Sequence, residues 1–178
     1  MKRRTFIKKN AIVTLAPFIT TGLLARNKKI KSLSEKPFQL NYAPHFGMFE
    51  SMAGKDLIDQ IQFMHDQGFR SLEDNGMKNR SKKTQNDIAK KMEKLGMSMG
   101  VFVGHKIYWK EPNLTSGDKS LQDEFVENIR DSVEVAKTVN ATWMTIVPGH
   151  IDLKKEIDYQ NANVIEALKR AAEILEKH

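Results

Sequence analysis

Four short apolar runs of strand length alternate with four amphipathic helical runs, and that alternation restricts the chain to a parallel α/β architecture. The apolar runs are Phe38–Ala43, Phe69–Leu72, Met97–Val103 and Trp143–Val147. Helical spacing puts Leu57, Ile61 and Met64 on one face of a helix over about Lys55–Gln67. The same spacing predicts helices over about Lys83–Leu95 (Ile88, Met92, Leu95), Lys119–Thr138 (Leu121, Phe125, Ile129, Val133, Ala136) and Tyr159–Lys177 (Val164, Leu168, Ala171, Leu175). Gly68 and Gly96 each stop a helix just ahead of an apolar run, which is the punctuation of βα units. Right-handed crossovers then make the strands parallel.

Four such units occupy residues 37–178, whereas a complete eight-unit barrel takes about 250 residues. The expected fold is therefore a (βα)4 half of a TIM barrel. A half barrel leaves two open strand edges. It is expected to dimerise or aggregate, or to be the front part of a longer gene product, so a homo-oligomer is one expected state. The competing fold is a flavodoxin-like open sheet, which needs a fifth strand that no run after the fourth helix supplies.

The charge is uneven. Lys2, Arg3, Arg4, Lys8 and Lys9 supply five of the seven net positive charges within Met1–Ala25, and the +2 that is left argues against nucleic acid as a partner. Cysteine is absent, which excludes disulfides, thiolate nucleophiles and cysteine-ligated metals. Lys2-Arg3-Arg4-Thr5-Phe6-Ile7-Lys8 resembles a twin-arginine export motif, and a short apolar stretch, Ala11–Leu24, follows it. The expectation is a signal peptide over 1–25, recognised by the export machinery and delivering a periplasmic protein. The alternative is a basic amphipathic helix on a surface. Residues 26–36, rich in lysine and without apolar period, read as a linker, and the domain is expected over 37–178.

In parallel α/β folds, ligand sites form at the carboxyl ends of the strands. The tips here read Pro44-His45-Phe46-Gly47, Glu73-Asp74-Asn75-Gly76, Gly104-His105 and Pro148-Gly149-His150. Four residues are the candidates for substrate binding. His45 could donate to a substrate oxygen, or sit in a surface loop satisfied by water. Glu73 could accept from a hydroxyl, or serve a structural ion pair. His105, with Tyr108 and Trp109 close behind, could wall a ligand pocket or pack a loop over the mouth. His150 could project from a tight Pro-Gly turn towards the mouth. Asp74-Asn75-Gly76 reads as turn chemistry, and Phe46, Met48 and Phe49 read as core, the alternative being a cap that shields the pocket from water. No P-loop, G-x-G-x-x-G or G-x-S-x-G motif is present.

The strings Asn41-Tyr42-Ala43-Pro44-His45-Phe46-Gly47-Met48-Phe49 and Gln67-Gly68-Phe69-Arg70-Ser71-Leu72-Glu73-Asp74-Asn75-Gly76 resemble the hydroxypyruvate isomerase group. That group belongs to the xylose isomerase-like TIM barrels, the sugar phosphate isomerase/epimerase superfamily. The resemblance runs from about Pro37 to His178. It implies proton transfer between adjacent carbons of a small sugar or hydroxy-keto acid through an enediolate. It also implies one divalent metal (Mn, Mg or Zn) in the full-length family, held by two glutamates, an aspartate and a histidine or glutamine. Those ligands end strands in the second half of the barrel, and none of their positions can be matched here. The catalytic residues are therefore unassigned, no metal ligand is expected in this chain, and the chain alone is expected to be inactive. The rival functions are a periplasmic carbohydrate-binding or scaffold protein without chemistry, and a phosphate-ester hydrolase related to endonuclease IV.

Overall fold

The computed structural model describes residues 36–178. The expected signal peptide over 1–25 and the linker as far as residue 35 lie outside the described residues.

All four expected helices form, each within about two residues of its predicted ends. They are α2 (Leu57–Asp66), α3 (Lys82–Leu95), α4 (Lys119–Val139) and α5 (Ile157–Leu175). A single extra turn, α1 (Glu50–Ala53), precedes them. Short polar side chains start three of the long helices. Asp56 accepts from the N–H groups of Ile58 and Asp59, Ser81 from Thr84, and Asp118 from Ser120 and Leu121. These caps satisfy amide donors that have no partner inside the helix. Gly96 ends α3 in the left-handed conformation, φ 64°, where a Cβ would be strained.

The strands are β1 (Ser71–Leu72), β2 (Ser98–Met99), β3 (Val101–Val103) and β4 (Trp143–Thr145). β1 pairs parallel with β2, with Leu72 opposite Met99. β3 pairs parallel with β4, with Phe102 opposite Met144. β2 and β3 are one run interrupted at Gly100. The Gly100 N–H donates to Leu72 O at 2.7 Å, and the Asp74 N–H donates to Val101 O at 3.2 Å. Gly100 and Val101 thus oppose Glu73 together, as in a β-bulge. His45 adds a parallel bridge to Glu73. Neighbours therefore follow chain order, from residue 45 to 73, 98–103 and 143–145, and every pairing is parallel. A doubly wound sheet reverses its strand order at a switch point; this one does not. The fold is an α/β arc of a TIM barrel.

One expected strand is missing. Over Phe38–Ala43 the chain bends at Gln39 and Leu40, and it pairs only at Phe38, whose N–H donates to Gly68 O, and just past its end, where Glu73 N–H donates to Pro44 O, each at 3.1 Å. Between them, Tyr42 N–H turns back to Leu40 O at 3.0 Å. A donor used locally is lost to the ladder, so the edge run does not become a strand.

Helices cover one face of the arc. Leu72, Met99 and Phe102 are buried there with Ile61, Met64 and Ile88 from α2 and α3. A second cluster joins Phe125, Ile129 and Val133 of α4 to Ala167, Ala171 and Ile174 of α5. Met144 touches both clusters. Its neighbour Trp143 alternates to the opposite, inner face and is 72% exposed. No helix among the described residues is long and apolar enough to cross a membrane.

Candidate functional site

The carboxyl ends of the first two runs of the arc carry an imidazole and a carboxylate in direct contact. His45 Nε2 lies 2.6 Å from Glu73 Oε1, with both side chains partly open to solvent. The backbone bridge between the same two residues sets the contact, because parallel register puts their side chains on the same face. The loop after His45 is tied down from α2. Gly47, at φ 89°, donates its N–H to Gln60 Oε1 at 2.7 Å.

Next to Glu73 the chain makes the turn expected of Asp74-Asn75-Gly76. Asp74 Oδ1 accepts from Gly76 N–H at 3.1 Å. The same carboxylate is nearly buried and takes two bonds from Arg80, Nε to Oδ2 at 2.5 Å and Nη2 to Oδ1 at 3.2 Å. The Arg80 guanidinium also lies 5.2 Å from the centre of the Phe46 ring. Phe46 and Phe49 pack on the core as expected, while Met48 is exposed. Its sulfur accepts from His45 N–H at 3.3 Å.

The loop after β3 carries a polar group of its own. Lys106 Nζ donates to Tyr108 Oη at 2.6 Å, and Tyr108 Oη donates to Glu124 Oε2 at 2.7 Å. The Tyr108 hydroxyl, with Lys106 second, holds Glu124 below the usual carboxylate range, and the same hydroxyl raises the Lys106 ammonium. Trp109 beside them is 73% exposed.

His105 is turned into the protein. It is 4% exposed, meets Phe125 of α4 edge-on at 5.1 Å, and its Nε2 accepts from Val147 N–H at 3.0 Å. An N–H can only donate, so the neutral ring carries its proton on Nδ1. That atom is buried with no hydrogen-bond partner among the described residues. Burial pushes the imidazole below its ordinary value, and the charge of Lys78 acts in the same direction. His150 is exposed, and its carbonyl accepts from Thr115 Oγ1 at 2.6 Å. Of the four candidates, then, the structure brings His45 and Glu73 together. His105 makes contacts with β4 and α4 instead, and His150 engages the chain through its backbone.

Sequence reading missed Arg80, which neutralises Asp74, and Gln60, which holds the His45 loop. Both stand on helical or turn segments at a distance from the strand tips, where residue type alone gives no reason to look.

Among the described residues no group of three or more histidines, aspartates or glutamates could hold a metal ion. His45 and Glu73 are two ligating side chains where the resemblance implies four, so the residues described do not fit that divalent metal. A cavity of about 450 Å³ opens beside Asn86, Glu93, Met97 and Asn140. It lies at the amino end of β2, opposite to the end of a parallel sheet where ligand sites form, whereas the His45–Glu73 candidate pair stands at the carboxyl end.

A family model described as xylose isomerase-like TIM barrel matches residues 61–178. Among solved structures, the chain is similar to D-psicose 3-epimerase of Clostridium cellulolyticum H10, determined with D-tagatose, at a TM-score of 0.58 and 16% identity. The match covers 78% of this chain and 49% of that one, so the chain spans about half the length of the epimerase. Curated protein sequences give no match.

Proposed function

Since the chain belongs to the xylose isomerase-like TIM barrel family, we propose that it orients the substrate of a sugar or hydroxy-keto acid isomerase or epimerase. The observation that carries the reading is the 2.6 Å contact between His45 and Glu73 at the carboxyl ends of adjacent parallel runs. A carboxylate on one ring nitrogen fixes the tautomer and direction of the imidazole. Nε2–H then donates to Glu73 Oε1. The second oxygen of Glu73 remains to accept from a substrate hydroxyl, and Nδ1 of His45 to accept from another. Two acceptors held in one geometry select a neighbouring pair of hydroxyls, as in a hydrated keto acid or a ketose.

Hydroxypyruvate is the first substrate to test, supported by the resemblance of the strings around His45 and Glu73. The reading expects binding without turnover by the 178-residue chain. The proposed setting is the periplasm, supported by the twin-arginine-like string at Lys2–Lys8.

Calorimetric titration with hydroxypyruvate and common ketoses, with Mn²⁺ or Mg²⁺ and again in EDTA, tests the proposal together with a turnover assay. Binding that is lost in Glu73→Gln supports it. Robust turnover by this chain alone would move the catalytic site elsewhere. Sugar binding that persists in EDTA and in Glu73→Gln would favour a carbohydrate-binding protein without chemistry.

A further inference from the structure

Among the described residues, the fourth residue of every long helix is a glutamine. Gln60, Gln85, Gln122 and Gln160 occupy that place in α2, α3, α4 and α5, four residues after the N-caps Asp56, Ser81, Asp118 and Glu156. All four are buried, between 1% and 8% exposed. A primary amide taken out of water is costly unless its donors and acceptor find partners. Three of these amides find partners in the loop that enters their own helix, although the buried Gln85 Oε1 has none among the described residues. Gln60 accepts from Gly47 N–H at 2.7 Å and donates to Gly54 O at 2.9 Å. Gln85 donates to Met77 O at 3.0 Å and Arg80 O at 3.1 Å. Gln160 accepts from Asp152 N–H at 2.8 Å and donates to Asp152 O at 3.0 Å and Lys155 O at 3.1 Å. The fourth, Gln122, reaches across to Asn163 O of α5 at 3.4 Å. There the preceding loop is held instead by Asn163, whose Nδ2 donates to Thr115 O at 3.1 Å.

Each of these loops follows a strand run of the arc, so each bond is made at the end of the sheet where His45 and Glu73 stand. A helix is a rigid post and the loop ahead of it is not. An amide one turn into the helix transfers the position of the post to the loop backbone. We propose that the glutamines are positioning residues for this mouth, and that Gln60, by holding Gly47 two residues after His45, sets where His45 meets Glu73. Gln85 does the same for the turn from Asp74 to Arg80, and Gln160 for the loop after β4. The inference rests on the reading of His45 and Glu73 as the binding pair only for its functional meaning; its geometry stands without a ligand.

The test uses the 178-residue chain and two nuclear magnetic resonance readouts, hydrogen exchange of the Gly47 amide and the ring ¹⁵N shifts of His45. Gln60→Met keeps the volume and removes both bonds. It is expected to speed Gly47 exchange by about tenfold or more and to move the His45 ring shifts to those of Glu73→Gln. Gln60→Glu keeps an acceptor for Gly47 N–H and is expected to retain the wild-type His45 shifts. Unchanged His45 shifts in Gln60→Met, with the Gly47 amide exposed, overturn the inference. So does a Gln60→Glu protein that keeps Gly47 protected but loses the His45 signature, a result that remains readable if Gln60→Met fails to fold. A wild-type chain whose His45 shifts ignore hydroxypyruvate defeats the binding reading and leaves the positioning inference intact.

Discussion

His45 and Glu73 are joined twice, by a parallel backbone bridge and by a 2.6 Å contact between imidazole and carboxylate. The side chains are 41% and 25% exposed. A polar contact open to water to that degree contributes about 0–1 kcal/mol to stability, because solvent competes with it and screens it. The pair is thus poorly explained as a device for holding the fold. Glu73→Gln and His45→Ala are expected to shift the urea unfolding free energy by no more than about 1 kcal/mol. Hydroxypyruvate affinity is expected to fall by about tenfold or more, since each change removes an oriented acceptor. Equal and large losses of stability would assign the pair to the fold instead.

Asp74, the next residue, behaves oppositely. Its side chain is 7% exposed and Arg80 supplies two of its bonds. Arg80→Met leaves a buried carboxylate with the Gly76 amide as its remaining partner. The expected loss is about 3 kcal/mol, near the low end for breaking a buried pair because Arg80 itself is partly open. The double change Asp74→Asn with Arg80→Met is expected to be milder than Arg80→Met alone, since no charge is stranded. Urea titration of the three variants decides it, and an Arg80→Met protein as stable as wild type would show that water reaches the carboxylate.

The helices were legible because their signals are local. Asp56, Ser81 and Asp118 cap the positions where the apolar period starts, and Gly96 stands where α3 must end. The first strand was misread because its fate is not local. Leu40 and Tyr42 look like strand residues, yet the run lies at the edge of the arc and Tyr42 N–H bonds to Leu40 O instead of a neighbour. At the site, the residue types His45 and Glu73 were visible, but their meeting depends on the bridge between two runs 28 residues apart. The direction of His105 depends on Phe125, twenty residues further along in α4. The glutamines were legible in principle, as one Gln four residues after each helix cap, but a search for apolar periods passes over a polar repeat.

Buried His105 gives the protein a pH-dependent component with a defined sign. Burial, helped by Lys78, pushes the folded imidazole below its ordinary value of 6.5. The unfolded chain therefore binds a proton there that the folded chain resists. Stability is at its full value above 6.5, declines as pH falls through that value, and levels off once the folded imidazole itself protonates. Protonation also puts a second donor against the Val147 N–H. The carboxylates of Asp118 and Glu124, held below their ordinary values first by Ser120 and by Tyr108, act in a separate and more acid window. Their contributions are present above the ordinary carboxylate values and are lost as pH falls through the lowered ones. Urea unfolding followed against pH is expected to show the first decline in the wild type and to lose it in His105→Gln, whose amide can still accept from Val147. A decline of the same size in both proteins would assign it to another group.

Gly100 connects the bulge to the site. A Cβ there would stand 3.3 Å from Leu72 O and 3.4 Å from the Cβ atoms of Ala43 and Glu73. Two of those neighbours are the backbone of β1 and the residue that meets His45, so room can be made only by opening the arc at its mouth. Gly100→Ala is expected to cost about 1 kcal/mol, and Gly100→Val about 3 kcal/mol, as for overpacked cores. Both are expected to shift the His45 ring signals away from those of the paired state. Gly96→Ala is the contrasting case. Nothing lies within 4 Å of a Cβ at that position, and only its φ of 64° opposes a side chain. It is expected to cost about 1 kcal/mol through backbone strain and to leave His45 unmoved. If Gly96→Ala disturbs His45 as much as Gly100→Val does, then loss of stability alone loosens the pair, and the bulge has no particular hold on it.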